Sequence, residues 1–150
     1  MTDTELTHQI IGAAITVHRE LGSGLLESVY EECICFELAR IGMSFERQKP
    51  IPVVYRGTKL DCGYRADLVI LNRVIVEIKA IAALAPIHEA VMLTYLRLSG
   101  CHIGLLINFH SAVLKDGIHR FVWNYNGRET EAERRDAEVA EKCLIRKSES

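Results

Sequence analysis

The sequence predicts an α/β domain in which a mixed β-sheet is flanked by helices. Three observations carry that prediction. Apolar residues recur at helical spacing over residues 4–20 and again over roughly 25–41. Between Phe45 and Ala80 that period gives way to short β-branched runs broken by turn residues. A third helical pattern, over 86–99, separates these runs from two more at 103–109 and 118–123. A helix between two strands returns the chain in the parallel sense, whereas tight turns join antiparallel neighbours. Together these give a mixed sheet with helices on both faces.

In the first helix Leu6, Ile10, Ala13, Ala14 and Val17 form the apolar face. Asp3 or Thr4 suits its N-cap and Gly22 its stop. Leu21-Gly22-Ser23-Gly24 is a turn. The second helix is expected to turn Val29, Cys33, Phe36 and Ile41 inward and to end at Gly42. Pro50 and Pro52 make the start of the Phe45–Arg56 stretch an edge strand or an extended lead-in. Arg56-Gly57-Thr58-Lys59 reads as a hairpin turn, and Leu60 to Ile70 as the returning strand. Val74 to Ala80 is the next strand, after the polar turn Leu71-Asn72-Arg73. Pro86 fits the first position of the third helix, which Gly100 ends, and His88, Val91, Met92 and Tyr95 share one of its faces. Ile103–Phe109 is a buried strand and Ile118–Trp123 the last one. Residues 1–127 form the domain, and 128–150 are a Glu- and Arg-rich helical tail.

The stretch from Tyr64 to Ala80 carries the chemistry. Strand alternation puts Arg65, Asp67 and Val69 on one face, and Ile75, Glu77 and Lys79 on one face of the next strand. Charges within an apolar sheet are costly unless paired or bound to metal. Two carboxylates offer hard oxygen donors to Mg²⁺ or Mn²⁺, and a nearby Lys can orient water or offset phosphate charge. The pattern therefore points to a metal-dependent phosphodiester site. The competing account is a structural ion pair between Lys79 and Asp67 or Glu77. For Glu27 the bland account is a favourable place in the first turn of a helix. A His on an apolar helix face, such as His88, is commonly a satisfied core residue.

Composition bounds the function. Net charge is −2, but residues 46–80 hold seven bases against four acids, while residues 1–45 hold two bases against seven acids. The local excess suits phosphate binding, and equally an edge guarded by Lys and Arg. No apolar run reaches the ~18 residues of a membrane span, so no membrane association is expected. Five cysteines without a Cys-x-x-Cys pair, and an acidic N-terminus in place of a basic leader, suggest reduced thiols and a cytoplasmic protein.

Gly24-Leu-Leu-Glu27-Ser-Val-Tyr30 resembles the Gly-x-x-Glu-x-x-Tyr signature of the GxxExxY protein family. Tyr64-Arg-Ala-Asp67-Leu, Val76-Glu77-Ile-Lys79-Ala, Pro86-Ile-His88-Glu89-Ala and Gly104-Leu-Leu-Ile-Asn108-Phe resemble its later blocks, in order, over roughly residues 6–123. The family is a branch of the PD-(D/E)XK nuclease superfamily, so the resemblance implies a restriction-endonuclease-like fold and a metal-dependent nuclease acting on DNA. It implies Asp67, Glu77 and the Ile78 carbonyl as ligands of Mg²⁺ or Mn²⁺, Lys79 as the catalytic lysine, and Glu27 as a further carboxylate. It places His88, Arg65 and Tyr95 on the substrate side, with Tyr30 as a packing or orienting residue. Ala66 stands where the superfamily's name has Pro, and Val91 where related nucleases often carry Gln. The second reading is a catalytically inactive scaffold serving as a nucleic-acid-binding or protein-interaction module. A homodimer would cut two strands more readily than a monomer with one site.

Overall fold

The computed structural model describes residues 1–124, so the tail expected at 128–150 lies outside the described residues. Helix α1 spans Asp3–Leu21 and α2 spans Glu27–Arg40. Strands β1 (Phe45–Pro50), β2 (Val53–Tyr55), β3 (Thr58–Leu60), β4 (Arg65–Ile70) and β5 (Val74–Lys79) follow. Helix α3 (Pro86–Ser99), β6 (Ile103–Asn108) and β7 (Ile118–Val122) complete the domain. The main sheet runs β1-β4-β5-β6-β7, and β2 and β3 pair separately. Only the β5–β6 pairing within it is parallel, and α3 is the crossover that makes it so.

The five-stranded sheet divides the core in two. Leu6, Ile10, Ala14 and Val17 of α1 join Tyr30, Ile34 and Leu38 of α2 on one face, against Leu68, Ile70, Val76, Ile78, Leu105 and Ile107. On the other face Met92, Tyr95 and Leu96 of α3 pack against Ala66, Val69, Ile75 and Leu106. Gly104 lets α3 approach β6, because a Cβ there would collide with the Met92 sulfur. Pro50 is tolerated because β1 is an edge strand.

Several boundaries differ from the sequence expectation. The α1 N-cap is Thr2, whose Oγ1 accepts from Glu5 N at 3.1 Å while Glu5 accepts from Thr2 N at 2.8 Å. The expected strand from Leu60 to Ile70 is broken at 61–64, where Asp61 accepts from Gly63 N. The inward face of α2 is Tyr30, Ile34, Cys35 and Leu38; Val29, Phe36 and Ile41 are exposed, and only Cys33 of the expected set touches the core. Both faces of this helix carry apolar residues, so periodicity alone could not choose between them. Among the described residues no helix is long and apolar enough to cross a membrane.

Candidate active site

The site forms where β4 and β5 part. Their ladder runs through Ile70↔Val74, Val69↔Ile75 and Leu68↔Val76. At the next step side chains take the place of the ladder: Glu77 Oε1 accepts from Asp67 N at 2.9 Å, and Asp67 Oδ2 accepts from Ile78 N at 2.8 Å. Each carboxylate thus satisfies the other strand's backbone where the sheet opens. Both lie at the C-terminal end of the parallel pair, since Lys79 and Asn108 are opposed last residues of β5 and β6. Crevices at such strand ends are the usual ligand sites of open α/β sheets.

Strict alternation fails on β4. Ala66 and Val69 belong to the α3-side core, although an odd spacing should send them to opposite faces, while Leu68 belongs to the other core. Asp67 does not simply share a face with Val69. It lines a cleft of about 210 Å³ with Glu27, Ser28, Glu31, Gln48 and Ile78, on the side of α2. The cause lies across the ladder. Gln48 has φ +48°, and the β1–β4 register passes from Arg47↔Leu68 to Lys49↔Ala66 without it. The left-handed backbone at Gln48 interrupts the ladder at the Gln48–Asp67 step, with one residue left out on each strand.

Glu27 is the first residue of α2, and its Oε1 accepts from Ala80 N at 3.3 Å. Tyr30 explains how the turn before it is held. Its ring is fully buried and stacks on Phe109 at 4.4 Å, and its hydroxyl donates to Gly22 O at 2.6 Å and accepts from Leu25 N. The Gly-x-x-Glu-x-x-Tyr stretch is therefore a clamped turn that presents Glu27 to the end of β5.

Burial and the adjacent Asp67 charge push the Glu77 carboxyl up to about 8. Burial also raises Asp67, against the Ile78 and Gln48 hydrogen bonds that lower it. Lys79 opposes both shifts through its charge. It forms no ion pair within 4.0 Å of either carboxylate among the described residues, where the pairs are Arg40–Glu37, Arg47–Glu31, Arg47–Glu32, Lys49–Glu46 and Arg73–Asp3.

The structure brings Asp67, Glu77, Ile78, Lys79 and Glu27 together at one strand end. Of the three residues expected on the substrate side, Tyr95 is buried, and burial followed by the Glu77 charge raises its hydroxyl. Its ring meets Tyr64 edge-on at 5.7 Å. Arg65 is exposed at the start of β4. His88 accepts from Ala85 N at Nδ1, 2.8 Å, which caps α3 and leaves the ring proton on Nε2. Val91 packs partly buried against the α3-side core.

Besides Ser28, two residues of the cleft, Glu31 and Gln48, were not expected from the sequence. Glu31 lies one turn after Glu27 and is 9% exposed. Gln48 donates to Glu31 at 2.7 Å and to Asp67 Oδ1 at 3.2 Å. The i, i+4 spacing of the two glutamates was a usable signal for the first. Nothing in the sequence announced the second, because its reach depends on the kink.

The family model for the PD-(D/E)XK nuclease superfamily matches residues 4–121. The chain belongs to that superfamily. Its five-stranded mixed sheet with flanking helices is the restriction-endonuclease-like arrangement. An alkaline exonuclease, LHK-Exo, from Laribacter hongkongensis is similar to it at 12% identity and a TM-score of 0.44, covering 99% of this chain and 82% of that one. No curated protein is a significant match.

Divalent metal ions are general in the superfamily, and the donor chemistry here fits one. Asp67, Glu77 and the Ile78 carbonyl are hard oxygen donors at one opening of the sheet. A cation would also offset the repulsion that raises Glu77. As the side chains stand, no three His, Cys, Asp or Glu groups among the described residues are gathered closely enough to hold a metal. The backbone amides take one lone pair each on Asp67 Oδ2 and Glu77 Oε1, so lone pairs remain on both carboxylates for a cation, which would draw the two groups together.

Proposed function

We propose that this protein is a metal-dependent nuclease of the GxxExxY branch that hydrolyses phosphodiester bonds of DNA. The observation that carries the reading is the reciprocal placement of Asp67 and Glu77 where the sheet opens, with the Lys79 charge acting on both. Asp67, Glu77 and the Ile78 carbonyl would hold Mg²⁺ or Mn²⁺, with Glu27 adding a carboxylate from the start of α2. Such an ion activates water and neutralises charge developing on the phosphate. Lys79 supplies a fixed positive charge beside the scissile group, where preorganised charge is most effective. Arg65, exposed two residues before Asp67, meets substrate phosphate, and Tyr95 and His88 shape the same end of the sheet. A cytoplasmic location and a homodimer that presents two sites are part of this reading.

The inactive-scaffold reading has one specific support: Val91, where related nucleases often carry Gln, is apolar and packs against the α3-side core. Cleavage of labelled single- and double-stranded DNA in Mg²⁺ or Mn²⁺ decides between them. Wild type is expected to cut, EDTA to abolish cutting, and Lys79→Ala to lose about 10²–10³ in rate while still binding Mn²⁺. Equal rates for wild type and Lys79→Ala, or cutting that survives EDTA, would reject the mechanism. Mn²⁺ binding without cleavage of any substrate would establish the scaffold.

A further inference from the structure

Arg47 and Gln48 are consecutive residues of an edge strand, and consecutive strand side chains should point to opposite faces. Here both reach one carboxylate. Arg47 donates to Glu31 Oε2 at 2.8 Å, and Gln48 Nε2 donates to Glu31 Oε1 at 2.7 Å. The left-handed φ of +48° at Gln48 is what allows it, in a region that non-glycine residues seldom adopt. The same amide nitrogen also donates to Asp67 Oδ1 at 3.2 Å, while Asp67 Oδ2 is held by Ile78 N at 2.8 Å. Both oxygens of Asp67 are thereby fixed, one by β5 and one by β1. A continuous chain of bonds runs from Arg47 through Glu31 and Gln48 to Asp67.

We propose that Gln48 is a positioning residue: its kinked backbone aims the amide so that Glu31, anchored by Arg47, sets the orientation of the Asp67 carboxylate. The proposal rests on the nuclease reading of Asp67 and adds to it a support that leaves the metal ligands themselves unchanged. Strained backbone that persists beside a polar cluster is retained where surrounding contacts hold it. Partners behind a ligand fix its orientation, and removing one typically costs about 10–100-fold in metal affinity or activity.

Gln48→Gly separates backbone from side chain, since glycine accepts the positive φ and lacks the amide. Gln48→Asn keeps an amide one methylene short, in a residue that also tolerates that φ, and serves if the glycine variant fails to fold. Mn²⁺ affinity is read by calorimetry, and the Mg²⁺ concentration for half-maximal cleavage is read on labelled DNA. Either folded variant is expected to bind Mn²⁺ about ten-fold or more weakly. Its rate should recover at high Mg²⁺, whereas Asp67→Ala should not recover. A folded variant with wild-type Mn²⁺ affinity and wild-type Mg²⁺ dependence would overturn the positioning role and leave the nuclease reading intact. Wild type that neither binds Mn²⁺ nor cleaves would reject the nuclease reading, and this role with it.

Discussion

Glu77 is 6% exposed and faces another carboxylate, so its charge is set against both burial and repulsion. Its folded value near 8 lies above its ordinary 4.5, so the folded state takes up a proton that the unfolded chain does not hold. The stability from that proton is complete below about pH 4.5 and is lost as pH rises through about 8. Glu77→Gln keeps an oxygen to accept from Asp67 N and removes the titration. The melting temperature of the variant should therefore exceed wild type at pH 9 by more than it does at pH 5, in metal-free buffer. An equal difference at both pH values would contradict the account. Tyr30→Phe belongs to the same scale. It strips the Gly22 carbonyl and Leu25 amide of their partner and should cost about 1–3 kcal/mol by chemical denaturation.

At the scale of elements, α2 shows where sequence reading succeeded and where it failed. Its existence and its stop near Gly42 were legible from spacing and turn chemistry. Its orientation was not, because Val29 and Phe36 offered an apolar stripe as plausible as Ile34 and Leu38. The packing of α1 decides for the second stripe, leaving Phe36 68% exposed and Leu38 fully buried. Leu38→Ala should cost about 2–5 kcal/mol, through lost contact and the cavity left behind. Phe36→Ser should stay within about 0.5 kcal/mol of wild type. Comparable losses from both would contradict this orientation. The β4–β5 hairpin was legible for a firmer reason: its β-branched runs and its polar turn agree. Leu71 and Asn72 both adopt positive φ there, the geometry that matches hairpin twist. The kink at Gln48 was not legible, because no Gly or Pro marks it, and its neighbours in space, Glu31 and Asp67, are what hold it.

For the whole molecule, the sheet gathers at one end what the chain distributes over 53 residues from Glu27 to Ala80. The β2–β3 hairpin leaves the sheet after Pro50 and returns at Arg65, and its Val54 and Lys59 line a pocket with Val69, Asn72, Leu98 and Cys101 on the α3 side. Arg56 and Lys59 are exposed on it, and Arg56 lies over the Tyr55 ring at 5.6 Å. Phosphate contacts release counterions, so Arg65→Ala and Arg65→Gln should each weaken DNA binding and reduce the salt slope by about one. Unchanged slopes would place the substrate elsewhere. The local basic excess was visible in the sequence, but the fold engages Arg47, Lys49 and Arg73 with Glu31, Glu46 and Asp3 and leaves Arg65 exposed two residues before Asp67. The account as a whole turns on whether Asp67 and Glu77 share a cation. Anomalous diffraction from crystals soaked in Mn²⁺ measures this most directly. The account predicts a peak in contact with Asp67, Glu77 and the Ile78 carbonyl. A well-ordered site without such a peak would contradict it.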